Sequence, residues 1–301
     1  MLRQTLLILI LISSPSIAFS TQYGSTGEAA AVFGPGTISI EGGNVFRGAF
    51  SPDGREFWFF RKVTEGAEDY RIFVSRLADD GSWGAPERVL LGGEYSELYP
   101  SISPEGGRMV FASYRAVPGD VTDHPNADLW YVDRNSDGSW GTPIFMSAAS
   151  TLANYDNNPR FRPDGAIEFG STTPDWSRTD RFVTRWDGTR YGVPEPDPLL
   201  DAWAGWRDDV SIANATLSPD GELAILDVRE RDDEGRLGPS DLWFSRRVDG
   251  GWSDPEPLAG GVNTPDDFEN FAVFSPDGKA IHFVRGFQLY WRIATEAATG
   301  D

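Results

Sequence analysis

The sequence predicts an all-β chain folded as a five-bladed β-propeller of four-stranded blades, with the ring closed by an N-terminal strand. The first observation behind this is a repeat. A hydrophobic stretch, a tight turn and a second hydrophobic stretch recur as GAFSPDGREFWFF at Ser51, PSISPEGGRMVFAS at Ser103, PRFRPDGAIEFGS at Arg162, ATLSPDGELAILDV at Ser218 and AVFSPDGKAIHFVR at Ser275. Successive turns lie 52, 59, 56 and 57 residues apart, counted between those five positions. Strand repeats of this period mark an array in which each unit buries its faces against its neighbours. The second observation is a further hairpin signal inside the repeat. Asp80-Gly81-Ser82-Trp83, Asp137-Gly138-Ser139-Trp140, Asp187-Gly188 with Tyr191, and Asp249-Gly250-Gly251-Trp252 each close a third strand. The third is that no convincing helical period occurs anywhere in the chain.

Each unit reads as four strands. Strand A ends at the Ser-Pro-Asp-Gly turn, where Pro fixes φ, Asp bonds back to the backbone and Gly takes the left-handed conformation. Strand B follows at once, as in Glu56 to Phe60, Met109 to Ala112 and Ile281 to Val284. Strand C is the run Arg71 to Val74, Asp128 to Val132 or Asp241 to Phe244. Strand D comes after the second hairpin, and Pro86, Pro143, Pro194 and Pro255 at its approach place it at the sheet edge, where a missing N–H costs no ladder bond. The fifth unit lacks room for its own strand D. Thr37-Ile38-Ser39-Ile40 alternates like a strand and has no blade, so the expectation is that it seals blade five and removes an exposed edge.

Around this ring the chain divides into a secretory signal at 1–20, a linker at 21–32, the propeller at 33–293 and a tail at 294–301. The signal is read from Arg3, the apolar run Leu6 to Ile12 and the small residues around Ala18. Seven apolar residues are too few to span a bilayer, so the mature chain is expected without a transmembrane segment, periplasmic or secreted, and monomeric. It has no Cys, which rules out disulfides and thiol chemistry. With 46 acidic against 26 basic residues the formal charge is -20, a surface that repels nucleic acid.

The repeats resemble the WD40-like propeller repeats of the TolB type, often called PD40 for their Pro-Asp pair. The resemblance covers about residues 33–293 and is fullest at GGWSDPEPLAGGVNTPDDFENFAVFSPDGKAIHF, residues 250–283. It implies the propeller fold. For function it implies little, because members include envelope scaffolds, modules fused to peptidoglycan-binding domains, and enzymes.

In such a blade the A-to-B and C-to-D hairpins share one end of the ring, and their residues are explained by turn chemistry. The other end carries loops of varied length, at residues 115–127, 171–180, 199–209 and 229–240, and variable loops on a rigid ring are where binding residues are expected. Trp176, Trp203 and Trp206 stand on these loops outside any strand period. They read either as stacking platforms for sugar rings or as caps on blades three and four. Six residues before each turn come Val45, Glu97, Asp156, Ile212 and Glu269, so three blades present a carboxylate where strand A enters the channel mouth. Four residues before the turn come Arg47, Tyr99, Asn158, Asn214 and Phe271. The carboxylates read three ways: as strand-start structure, as ligands for a divalent cation such as Ca²⁺, or as acid and base in glycoside hydrolysis.

Other signals are weak. Asp133 to Gly138 opens like a calcium loop, but its twelfth position is Ile144 instead of a bidentate Glu, and it coincides with a hairpin turn. His124 and His282 do not form a zinc pattern, and no G-x-S-x-G occurs. The function expected is therefore a non-catalytic binding module of the cell envelope, without cofactor, whose partner is an envelope protein or glycan. Its site would comprise Arg47, Glu97, Tyr99, Asp156, Asn158, Trp176, Trp203, Trp206, Asn214 and Glu269. The alternative is a carbohydrate-active enzyme, a glycoside hydrolase or lyase, using Glu97, Asp156 and Glu269.

Overall fold

The computed structural model describes residues 29–64, 69–119, 126–294 and 297. The leader expected at 1–20, most of the tail and His124 lie outside them. Five antiparallel sheets form the ring. Blade one runs Val45–Phe50, Glu56–Lys62, Tyr70–Arg76 and Glu87–Arg88. Blade two runs Glu97–Ile102, Arg108–Ser113, Asp128–Asp133 and Ile144–Phe145. Blade three runs Tyr155–Phe161, Ile167–Thr172, Thr179–Thr184 and Glu195–Pro196. Blade four runs Val210–Leu217, Leu223–Arg231, Leu237–Val248 and Glu256–Pro257. Blade five holds Glu269–Phe274, Ala280–Arg285 and Gln288–Ile293.

The turns form as their chemistry dictates. In the first, Ser51 Oγ donates to Asp53 Oδ1 at 2.6 Å, the Glu56 N–H donates to Ser51 Oγ at 2.9 Å, and Gly54 sits at φ +66°. Each of the four outer strands starts directly after one of the expected prolines and pairs on one side alone, so the missing N–H falls at an edge. Asp137, in the sequence that opens like a calcium loop, accepts from Ser139 N and Oγ at 2.9 and 2.6 Å, which are turn bonds.

The strand that closes the ring differs from expectation. Ala31–Val32 pairs with Trp291 and Tyr290, so the seal on blade five comes from residues assigned to the linker, and 37–40 is not a strand. The reason is local: Gly34 and Gly36 take φ of +54° and +74°, and the N–H groups of Thr37, Ile38 and Ser39 fold back onto the Gly34 carbonyl. The alternation of residues 37–40 still has a structural meaning. Ile38 is buried between blades five and one, and Ser39 Oγ exchanges hydrogen bonds with the Leu289 backbone at 3.2 Å. Two smaller departures occur on the variable face. Leu200–Trp203 forms one turn of 3₁₀-helix, and the expected loop 229–240 is largely ladder, with Arg231 paired to Leu237.

The apolar core lies between successive sheets. Trp58, Phe60 and Val74 of blade one, for example, pack against Leu98, Met109 and Phe111 of blade two. At the seam between blades five and one, Phe33 meets Phe50, Phe57, Trp83 and His282 at ring-centroid distances of 4.5 to 6.1 Å. Phe33 is therefore expected to behave as a core residue. Phe33→Ala should cost about 3–5 kcal/mol in urea unfolding, whereas Ile40→Ser, at a half-exposed turn position, should change stability by less than about 0.5 kcal/mol. Burial also drives the imidazole of His282 down from 6.5 to about 3. Between those values the unfolded chain binds a proton that the folded chain does not, so this residue's contribution falls as pH drops, by about 1.4 kcal/mol per pH unit. Unfolding curves of wild type and His282→Gln from pH 7 to 4 should diverge with that slope.

Candidate functional site

The inner strand of every blade carries a register shift near the channel mouth, between Val45 and Gly48, Leu98 and Ser101, Asn157 and Arg160, Ile212 and Asn214, and Asn270 and Val273. In blades two, three and five the residue four before the turn is left-handed, Tyr99, Asn158 and Phe271 having φ of 55°, 51° and 54°. Such a conformation costs a non-glycine residue about 1–2 kcal/mol. Bulges re-aim side chains, and here they turn these residues into a cleft of about 840 Å³ on the variable face. Of the five residues at that position, Tyr99, Asn158, Asn214 and Phe271 line the cleft.

The cleft has two unlike walls. Phe46, Phe268 and Phe287 form an edge-to-face aromatic set from blades one and five, with Phe46 and Phe268 each about 5 Å from Phe287 by centroid (5.5 and 5.1 Å). Tyr99 and Phe271 continue this surface, 6.1 Å apart. Blades three and four supply the amides and guanidinium groups, Asn157, Arg178, Arg181, Asn214 and Arg229, set among apolar residues such as Leu200, Ile212 and Leu237. Arg181 donates to Asn214 Oδ1 at 2.6 Å, and Asp227 Oδ2 accepts the Phe271 N–H at 3.3 Å. Asp227 is the one carboxylate among the described lining residues; burial raises it to about 6, against the pull of the Phe271 N–H and Arg160. Asn270 lines the same cleft with its buried Oδ1 unpartnered.

The loop tryptophans separate. Trp176 is 69% exposed, left-handed at φ +59°, and stands on the cleft rim with its ring 5.1 Å from that of Tyr155. Trp203 is 4% exposed. Its Nε1 donates to Ser245 Oγ at 3.1 Å, and its ring packs 5.4 Å from Trp252, which makes it the plug of blade four. Trp206 packs edge-on to Trp243 at 5.2 Å and does not line the cleft.

The three strand-start carboxylates do not meet around the cleft. Each is buried and held within its own blade. Glu97 pairs with Arg115, and burial pushes its carboxyl up to about 7 against that pull. Asp156 accepts from Ser150 Oγ, Ser171 Oγ and the Thr151 N–H, all at 2.7 Å, and burial raises it to about 6. Glu269 accepts from Arg285 Nε and Thr264 Oγ1 at 2.8 Å. In each of these blades the carboxylate ties the entry of strand A to the end of strand B or to the loop that precedes it. Among the described residues, no group of three or more His, Cys, Asp or Glu side chains could hold a metal ion. Arg47 lies under the cleft, donating through Nη1 to Asn158 Oδ1.

The residues missed by sequence reasoning are mostly on strands B and C and on the aromatic wall. Asp227 had a usable signal, since it interrupts the apolar run LAILDV with a charge. Phe268 and Phe287 had none, being ordinary apolar residues until the ring brings blades five and one together.

These features define a β-propeller with one amphipathic cleft on its variable face. No family model matches the chain. A stretch of 119 residues is 33% identical to an uncharacterised protein of Agrobacterium fabrum (strain C58 / ATCC 33970), covering 38% of this chain and 36% of that protein. The likeness thus spans just over a third of that relative's length. Among solved structures, a protein assigned as a TolB of Agrobacterium tumefaciens is 18% identical, with TM-score 0.44 over 82% of this chain and 73% of that one. A glycoside hydrolase is 11% identical with TM-score 0.49 over 88% and 90% of the two chains, and a gluconolactonase of Xanthomonas campestris 12% identical with TM-score 0.43 over 88% and 86%. No helix among the described residues is long and apolar enough to cross a membrane.

Removing a strand-start carboxylate should damage the fold. Glu97→Ala leaves Arg115 buried without its partner and is expected to cost about 3–5 kcal/mol in chemical denaturation. Trp176→Ala, at an exposed rim, should cost less than about 1 kcal/mol in the same measurement.

Proposed function

We propose that the protein is an exported, monomeric, non-catalytic binding module of the cell envelope whose variable-face cleft takes a glycan. The observation that carries this reading is the two-sided lining of the cleft. A pyranose ring offers an apolar C–H face and a rim of hydroxyls, which suits aromatic rings on one wall and amides and guanidinium groups on the other. Arg181 and Arg229 against Asp227, with Arg178 paired to Asp180, leave the described lining cationic on a chain of charge -20, which favours sugars bearing carboxylates over neutral ones. Export rests on the leader-like residues 1–20.

The same lining weighs against the enzyme alternative. Glycoside hydrolysis by the usual route uses two carboxyl groups flanking the bond, and among the described residues the cleft presents Asp227 alone while Glu97, Asp156 and Glu269 are committed within their blades. Calcium has no cluster of side chains to hold it among the described residues, so it enters the reading only as a condition of the assay.

Titration calorimetry of the protein lacking residues 1–20 against uronate-containing and neutral oligosaccharides, with calcium or chelator, tests the proposal. Binding is expected for uronates, weakened about tenfold by Trp176→Ala and by Asn214→Ala, a loss of ~1.4 kcal/mol, with the sugar recovered intact. Cleavage of any oligosaccharide that is abolished by Asp227→Asn would replace the binding reading with the enzyme. Absence of binding to all sugars would transfer the cleft to a protein partner, to be sought by crosslinking in the envelope.

A further inference from the structure

A second cavity, of about 370 Å³, opens on the opposite face, where the Ser-Pro-Asp-Gly turns converge, and three guanidinium groups line it: Arg47, Arg160 and Arg162. Two of the three are paired with carboxylates. Arg160 donates to Glu168, Thr216 Oγ1 and the Ala215 carbonyl. Arg162 reaches Glu168 Oε2 at 2.6 Å and Asp197 Oδ2 at 2.5 Å. Arg47 is different. It is 1% exposed, its Nη1 is spent on Asn158, and its Nε and Nη2 have no hydrogen-bond partner.

No carboxylate among the described residues lies within ion-pair distance of Arg47. Glu168, the carboxylate whose charge acts on Arg47, is committed to Arg160 and Arg162. A buried guanidinium with two idle donors is unfavourable unless an acceptor reaches it. Burial, followed by the charge of Arg160, lowers its pKa to about 9, which leaves it a cation at neutral pH. Nε and Nη2 form one edge of the planar group, and that edge donates two parallel bonds to a carboxylate or phosphate but matches a spherical halide poorly.

We infer that the channel is a binding site for one small oxyanion, a carboxylate or phosphate, held side-on by Nε and Nη2 of Arg47 and reached from the hairpin face. The site is separate from the glycan cleft, since its cavity opens on the other end of the ring and it uses the edge of Arg47 that Asn158 does not touch. Its occupation would link the two faces, because Arg47 Nη1 sets the amide of Asn158 that lines the cleft.

The test is the melting midpoint of the protein in sodium acetate, sodium phosphate and sodium chloride at equal ionic strength, for wild type, Arg47→Met and Arg47→Lys. Acetate or phosphate at ten times its dissociation constant should raise the wild-type midpoint by about 3 °C over chloride. The comparison of acetate with phosphate tells which oxyanion the channel takes. Both variants should lose the difference, Arg47→Lys because it keeps the charge without the edge. Equal midpoints in the three salts, or a shift that survives in Arg47→Met, would overturn the site. If both variants fail to fold, wild-type crystals grown from acetate or phosphate decide: a planar or tetrahedral group on Nε and Nη2 supports the inference, and water alone refutes it.

Discussion

Closure of the ring is the constraint on which the rest of this structure depends. Five sheets can stack face to face around an axis only if the first and last are joined, and the join here is two residues long, Ala31–Val32 against Tyr290 and Trp291. The ladder is short, so side chains supply most of the seal. Phe33, Ile38 and His282 fill the seam, and Ser39 bridges to the Leu289 backbone. Once the seam is set, the five inner strands are forced to converge, and everything polar on them must be satisfied at the axis or presented at a mouth.

Two neighbouring positions on the inner strand divide that work. Six residues before the turn, Glu97, Asp156 and Glu269 are used up inside their own blades, on Arg115, on Ser150 and Ser171, and on Arg285 and Thr264. Four residues before the turn, the bulge rotates the side chain off the ladder and into the cleft. The alternation of a strand would have pointed both positions the same way. The register shift separates them, sending one to hold the blade and the other to meet a ligand.

The fold was legible because its signals are local. A Ser-Pro-Asp-Gly turn and an Asp-Gly-aromatic hairpin each specify backbone conformation within a few residues, and their repetition fixes blade number. The closing strand was misplaced for the same reason. Residues 37–40 alternate like a strand, and the glycines at 34 and 36 that convert them to a turn act on geometry that alternation alone does not register. The site was legible only in part. Tyr99, Asn158, Asn214 and Trp176 could be reached by counting from the turns or by finding an aromatic outside a strand. The aromatic wall of Phe46, Phe268 and Phe287 joins residues from the two ends of the ring, and nothing local links them. Trp203 looked like Trp176 in sequence, yet the turn of 3₁₀-helix that carries it drives it inward.

The two-residue seal also sets an order of events. Ala31–Val32 is among the first residues of the ring to be made, and its partners Tyr290 and Trp291 among the last, so no part of this contact forms until residue 291 is available. Blades one to four are built from contacts within or between adjacent repeats and can assemble as they emerge. Bringing the ends together then carries the entropy of closing a loop that spans all five blades, a term that grows only logarithmically with length, so circularisation is slow to begin without being thermodynamically prohibitive. Until it happens, the free edge of blade five offers an unpaired strand to any chain nearby, and that interval is when this protein is most open to mispairing with its own copies.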